Sequence, residues 1–546
     1  MSDRMTKMVE KVMKKEKTMK KRILALACIT MLLFSGCGGK KTAKNIEYPD
    51  FDFNGYPMTN APKLTYWKSI DSKLSSVVDN EGKSPFAKEL QKRTGVEIEY
   101  QHPVAGQDTQ TLGLMIASGE LPDMIAFNWL TYNGSPQKSI DDGIIIPLND
   151  LMEEYAPNLT KFLKEHPEID KAVKTEDGIY YAVPSIRDGK RLLVTEGPMY
   201  RRDLAEKAGI TDYPKNIDEI ETLLRAYKEM GVSKPLSFKA GGMNNFISMF
   251  GILDGIYLKD DKVVYGPALE QYKVALERLH TWYEEGLLDA NYFSNDSAKL
   301  NAQILSGDTA MTYSGGGTTL SLWIDQAASQ GIYFDMVGFP FTSVSEMGDD
   351  GIHSLTAMYR GVGSVAISTS CKNPAAALAF LDYAYSEEGK IFYNFGEEGV
   401  THTLDENGNP VYTDMIYNNP DGLDKANALA MYAHPTVGTG YLQDERYIDQ
   451  SFSHPNQQEC LDAWLSDYDT VVKNHLYYYY IDYADQEELA VIKTDITKHV
   501  NSEREKFITG KRSIKEFDKY IDELKGYGLD RMIEIMQKGH DKYKNN

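Results

Sequence analysis

Cys37 has the setting that most plainly points to chemistry. It follows the small residues Ser35 and Gly36, which close an apolar run over 23–34, and Lys20, Lys21 and Arg22 stand just ahead of that run. The run is twelve residues long. That is too short for a bilayer core of about 30 Å and suits the core of a signal peptide. A thiol just past such a cleavage point is placed to become a lipidated N-terminus. An unlipidated secretory cut or a short uncleaved anchor is the alternative. Met19 is a second candidate start, because Met19-Lys20-Lys21-Arg22 already supplies the basic opening. Cys28 leaves with the signal, while Cys371 and Cys460 remain, either paired or as buried free thiols.

Other reactive constellations are not found. The ten His include no His-Glu-x-x-His helix, and no Cys-x-x-Cys pair accompanies them, so no zinc site is expected. Asp405-Glu406-Asn407-Gly408-Asn409 resembles a calcium loop only superficially: its Gly comes two places early and no Glu closes the ligand set. A hairpin turn accounts for it better. There is no Gly-x-Ser-x-Gly elbow and no phosphate-cradling Gly-x-x-x-x-Gly-Lys loop. No metal or cofactor is expected and no catalytic residue is singled out, although 77 carboxylates after residue 36 leave a glycosidase pair open by count.

Composition narrows the field further. The chain has 546 residues, with 59 Lys plus Arg against 80 Asp plus Glu and a net charge of −21. Residues 1–36 hold nine of the basic and three of the acidic residues, leaving the remainder at −27. So acidic a chain makes a poor non-specific nucleic-acid binder, since counterion release needs clustered Lys and Arg. With 25% charged and 42% hydrophobic residues, the composition is globular, and the length suits two to four domains.

The elements that must position any site begin after a polar tether. A strand is expected at 63–67, then a helix opened by the N-cap Ser84 and Pro85 and closed at Thr94-Gly95. A strand at 96–100, a helix at 109–118, a turn at 119–123 and a strand at 124–127 follow. Strands and helices alternating at this spacing imply parallel βαβ units. Further helices are expected at 148–155, 217–230, 269–285 and 374–385, and hairpins at 259–262 and 405–409. From 485 to 543 the chain reads as helical, with a break at Thr509-Gly510.

Ser35-Gly36-Cys37 resembles a bacterial lipobox, with Phe34 where such motifs usually carry Leu. Several phrases resemble the extracellular solute-binding lipoproteins of ABC importers, carbohydrate type (family 1), in the large subgroup found in Gram-positive bacteria. They include 86–96 (Phe-Ala-Lys-Glu-Leu-Gln-Lys-Arg-Thr-Gly-Val), 115–125 (Met-Ile-Ala-Ser-Gly-Glu-Leu-Pro-Asp-Met-Ile) and 199–204 (Met-Tyr-Arg-Arg-Asp-Leu). Others are 282–289, 306–311 and the tail phrase 506–511. The resemblance implies an α/β, two-lobed, periplasmic-binding-protein-like clamp. Each lobe would be a βα sandwich, with added C-terminal helices. It implies a signal peptide at 1–36, a tether at 37–62, lobe one from 63–185 plus 338–370, and lobe two with the C-terminal helices from 190–335 plus 373–546. The expected partners are a carbohydrate, most simply an oligosaccharide, the transmembrane subunits of an ABC permease, and the membrane through lipid on Cys37. A monomer on the extracellular face of the cell membrane, without nucleic acid, is expected. A surface-anchored glycoside hydrolase, a peptide-binding protein and a sugar sensor are the competing functions.

A sugar offers hydroxyl edges and weakly apolar faces, so such a cleft needs aromatic rings beside polar groups. The family places these past strand ends. Asn128 and Trp129 follow the strand at 124–127, and Trp67 ends the first strand. Tyr313 precedes Gly315-Gly316-Gly317, where the family often has an aromatic contact. The glycines imply either a larger subsite or close backbone approach to the ligand. Phe246, in the loop 241–246, is a candidate wall. Tyr359 and Arg360 lie near a predicted crossing, where Arg360 suits either a fork of hydrogen bonds or a structural ion pair. Trp282 and Trp464 have helical settings and read as core.

Overall fold

The computed structural model describes residues 51–130, 132, 135–341, 359–434, 439–466, 468, 469, 476 and 479–545. The early strands are β1 (Leu64–Trp67), β2 (Ile98–Gln101), β3 (Met124–Phe127), β4 (Val183–Asp188) and β5 (Glu196–Arg201). A hairpin follows from β6 (Ile256–Lys259) and β7 (Lys262–Tyr265), then β8 (Met311–Gly315), β9 (Met336–Gly338) and β10 (Tyr359–Ile367). A second hairpin, β11 (His402–Leu404) with β12 (Pro410–Tyr412), and the short β13 (Leu442–Asp444) complete the strands. The turn at Asp405 is a hairpin, as expected: its carboxylate accepts the Asn407 and Asn409 N–H groups at 2.9 and 2.7 Å.

The first units form where local signals are strongest. Helix Pro85–Thr94 starts with the Ser84 hydroxyl accepting the Ala87 N–H, and Pro85 occupies the first turn. It stops at Gly95, whose φ of +77° and tight fit against the Met58 carbonyl admit no side chain. β2 then pairs in parallel with β1, Leu64 opposite Ile98, and β3 pairs on the other side, Tyr66 opposite Met124. The complete first sheet has the order β13-β4-β10-β3-β1-β2. β10 runs antiparallel to both β3 and β4, and the other five strands point one way.

The second sheet, β8-β5-β9, is antiparallel. Its core also takes in the C-terminal helices Tyr483–Ile508, Phe517–Gly526 and Leu529–Asn545 through Ile496, Phe507, Tyr520 and Met532. Fully burying each such side chain contributes about 1.5–3 kcal/mol, so these helices are integral to that lobe.

The boundary expected at 373 needs correction. β13 pairs with β4, Leu442 opposite Ile186, and Phe392 stacks on Phe86 with centroids 4.8 Å apart. Residues 374–434 and 439–444 therefore build the first lobe. The second resumes near helix Pro455–Leu465. Cys371 and Cys460 are both buried and free, and burial pushes each thiol up to about 12.

Candidate ligand-binding site

The site follows from strand direction. β1, β3 and β4 all end on one edge of the first sheet. From Asp188 the chain crosses through 189–195 and enters β5 at Glu196, which pairs with Gly315 at the end of β8. The C-terminal edge of one sheet and the Glu196–Gly315 edge of the other thus flank the same crossing, where open α/β sheets take their ligands.

On the first edge, Trp67 and Trp129 are buried. The Trp129 indole N–H donates to the Ile125 carbonyl at 3.2 Å, so the ring folds back beneath the strand it follows. Trp67 lies with it, 6.3 Å from the Phe127 ring. Neither presents a face, contrary to expectation. Half-buried Phe127 and Tyr132 lie over Trp129, meeting edge to face at 5.5 Å and 88°. Leu130 beside them is 43% exposed. Asn128 is half-buried between them. Sequence reasoning missed Phe127, Leu130 and Tyr132. Their signal was an aromatic and apolar run continuing past the strand end.

The loop after β1 is anchored by a buried ion pair. The Lys68 ammonium lies 2.8 Å from Glu81, and the Lys68 carbonyl and Glu81 N–H contact the two ring nitrogens of His102 at 2.8 and 3.1 Å. Burial alone would push the Glu81 carboxyl up. The Lys68 and His434 charges outweigh it and leave it below the ordinary value.

On the second edge Glu196 is exposed, and the Asn245 amide lies 3.5 Å from its carboxylate. Asn245 belongs to the short helix Gly242–Phe246. Phe246 itself points inward, 5.0 Å from Phe238 and 6.3 Å from Trp282. Tyr313 is also buried, 6.4 Å from Phe341, and burial pushes its phenol well up. Both are core rings in this structure and present no face, against expectation. Trp282 and Trp464 are buried, as their helical settings suggested.

Close backbone approach does occur at the glycines, but the partner is the protein itself. A Cβ at Gly316 would lie 3.0 Å from the Trp464 ring, and one at Gly317 would lie 3.0 Å from Phe452. Gln457 donates to both glycine carbonyls at 2.8 Å. Tyr359 and Arg360 pair through their backbones with Ile186 and Ser185. Their side chains, like Cys37, lie outside the described residues. Among the described residues, no group of three or more His, Cys, Asp or Glu is arranged to hold a metal, and no helix is long and apolar enough to cross a membrane.

The two edges together offer ring surface, an aliphatic side chain, a carboxylate and amides. Groups of these kinds are suited to stacking on and hydrogen bonding to a polar ligand. A family model described as bacterial extracellular solute-binding protein matches residues 76–391. The chain is 25% identical to the fructooligosaccharide ABC transporter substrate-binding protein FusA of Streptococcus pneumoniae, over 97% of this chain and 99% of the relative. It is 24% identical to lipoprotein LipO of Bacillus subtilis, over 78% and 82%. The solved structure of S. pneumoniae FusA with kestose superposes with a TM-score of 0.68 at 22% identity, covering 89% of this chain and all of that one. With its two α/β lobes and the match across 76–391, the chain belongs to the bacterial extracellular solute-binding proteins.

Proposed function

We propose that this protein is the extracellular substrate-binding component of an ABC importer, which captures a neutral oligosaccharide between its lobes and delivers it unaltered to the permease. The observation that carries this is similarity to FusA over nearly the whole of both chains. The half-buried rings and the exposed aliphatic side chain at the end of β3 support it. Phe127, Leu130 and Tyr132 form the stacking platform, with Trp67 and Trp129 as the layer beneath. Asn128, Glu196 and Asn245 meet sugar hydroxyls, while Phe246 and Tyr313 back the second lip. Tyr359 and Arg360 belong to the site through their place on β10, beside Ser185 of β4.

Binding works by population shift. Contacts to both lips exist only when the lobes are together, so sugar favours the closed form. Moving that equilibrium from 1:99 to 99:1 takes about 5.5 kcal/mol of differential binding, within reach of a few stacked rings and hydrogen bonds. The protein acts as a monomer, held to the outer face of the membrane by lipid on Cys37 after removal of 1–36. The relation to LipO supports that anchor.

A titration of the chain from residue 38 onward against neutral di- to pentasaccharides, kestose included, tests this. A ligand at 100 times its Kd adds about 2.7 kcal/mol of stability and is recovered intact. Absence of binding across the panel, or cleavage of the bound sugar as a hydrolase would produce, contradicts the proposal.

A further inference from the structure

The helix Tyr483–Ile508 lies outside the segment matched by the family model, yet it reaches the second lip. Its Arg504 is 6% exposed and pairs with Asp254, itself 7% exposed, at 2.6 Å through Nη1. Through Nη2 the same guanidinium donates to the Asn244 side-chain oxygen at 2.8 Å and also to Asn501. Asn244 immediately precedes Asn245, whose amide faces Glu196. One buried cation therefore ties the C-terminal helices to the loop that carries the lip.

Met243 and Phe246 of that loop are buried, and Arg504 adds a polar tie at Asn244 between them. The loop opens with Gly241 at φ +85° and Gly242, and its helix has only five residues. A helix this short does not hold itself together by its own hydrogen bonds. Asp254 fixes the guanidinium, and the planar fork leaves a second arm for Asn244.

We infer that Arg504 is a positioning residue for ligand binding, holding Asn244 so that Asn245 stays beside Glu196 at the second lip. This rests on the oligosaccharide reading above. The lip is then ordered before the sugar arrives, and binding does not bear the cost of ordering it. The C-terminal helices, an addition to the matched segment, serve the site as well as the core.

The test compares unliganded amide exchange over 240–246 with affinity for kestose, or for the tightest sugar of the panel. Asn244→Ala leaves the Arg504–Asp254 pair intact, so it reads the tie without unpairing a buried charge. It should speed exchange over 240–246 and weaken binding about tenfold. Asn244→Asp, which keeps the accepting oxygen, should restore both. Arg504→Lys, which loses the fork, should resemble Asn244→Ala. Arg512→Lys is the control: Arg512 joins Glu503 and Glu523 within the same helices at 2.6 and 2.8 Å, so this variant should lower Tm and leave the Kd unchanged. Wild-type affinity in Asn244→Ala, or equal weakening by Arg512→Lys, overturns the inference. Unchanged exchange in Asn244→Ala overturns it without reference to any sugar. Failure of the wild type to bind any panel sugar overturns the functional reading instead.

Discussion

The indole of Trp464 lies directly on Gly197. A Cβ at Gly197 would sit 2.5 Å from the ring, and the indole N–H donates to the next residue's carbonyl, Pro198, at 3.2 Å. Gly316, one residue past the end of β8, and Gly338 on β9 complete a bare patch under the same ring. The helix carrying Trp464, Pro455–Leu465, follows the return from β13. It gives Leu461 to a cluster with Leu192, Phe395 and Phe452, and gives Cys460 and Trp464 to the second-lobe core. It is therefore packed into both lobes beside the crossing.

Filling that patch should loosen the joint. Gly197→Ala forces the ring off the strand and should cost about 1–3 kcal/mol, with Gly316→Ala at the low end. Trp464→Ala empties the site and should cost about 3–5 kcal/mol. Urea denaturation measures both. Because the residues touch, the double variant Gly197→Ala/Trp464→Ala should lose less than the sum of the two.

Trp129 and Tyr132 should separate stability from binding. Trp129 is fully buried, and Trp129→Ala should destabilise the unliganded fold by about 3–5 kcal/mol. Tyr132→Ala, which removes a half-buried ring from its contacts with Phe127 and Trp129, should cost only about 1 kcal/mol of stability and weaken sugar binding tenfold or more, about 1.4 kcal/mol. Calorimetric titration alongside denaturation distinguishes the two effects.

Two buried groups should oppose each other between pH 4 and 6. Burial pushes the Asp382 carboxyl up to about 6, although it accepts the Leu159 N–H at 2.8 Å. In the window from its unfolded value to about 6, the folded state binds the extra proton. The Asp382 contribution is therefore present at low pH and lost as pH rises through about 6. Burial pushes His434 down to about 4, with Glu81 3.8 Å away acting in the opposite sense. Its contribution is present above the unfolded His value and lost as pH falls through about 4. Each shift is worth on the order of 2–3 kcal/mol, so they nearly offset in the wild type. Denaturation at pH 4.5 and 6.5 should show stability rising with pH in Asp382→Asn and falling with pH in His434→Gln.

Cys37→Ser should release the protein from membranes into the medium. Fractionation of cells carrying the two forms, with lipid labelling, checks it. Retention of the variant in the membrane fraction would identify an uncleaved anchor.

How much was legible in the sequence depended on the range of the signal. The βα units up to Phe127 rest on local cues, such as Ser84-Pro85 at one end of a helix and Gly95 at the other, and these were readable. The return of Leu442–Asp444 to the first sheet rests on pairing across 256 residues by a three-residue strand, and no local pattern announces it. At the candidate site, the sequence pointed to the strand end after β3 but gave no sign of the direction of the rings. Trp129 turns under its own strand to satisfy its N–H on Ile125, and Tyr132, three residues on, takes the outer place. Gly315 to Gly317 were readable as a place of close approach. That the approach is by Trp464 at Gly316 and by Phe452 at Gly317, and not by a ligand, required the fold.

A crystal structure with kestose, or the tightest panel sugar, tests the central claim most directly. Sugar rings are expected against Phe127 and Tyr132, with hydroxyls within hydrogen-bond distance of Glu196 or Asn245. A sugar bound elsewhere, with both lips bare, would contradict it.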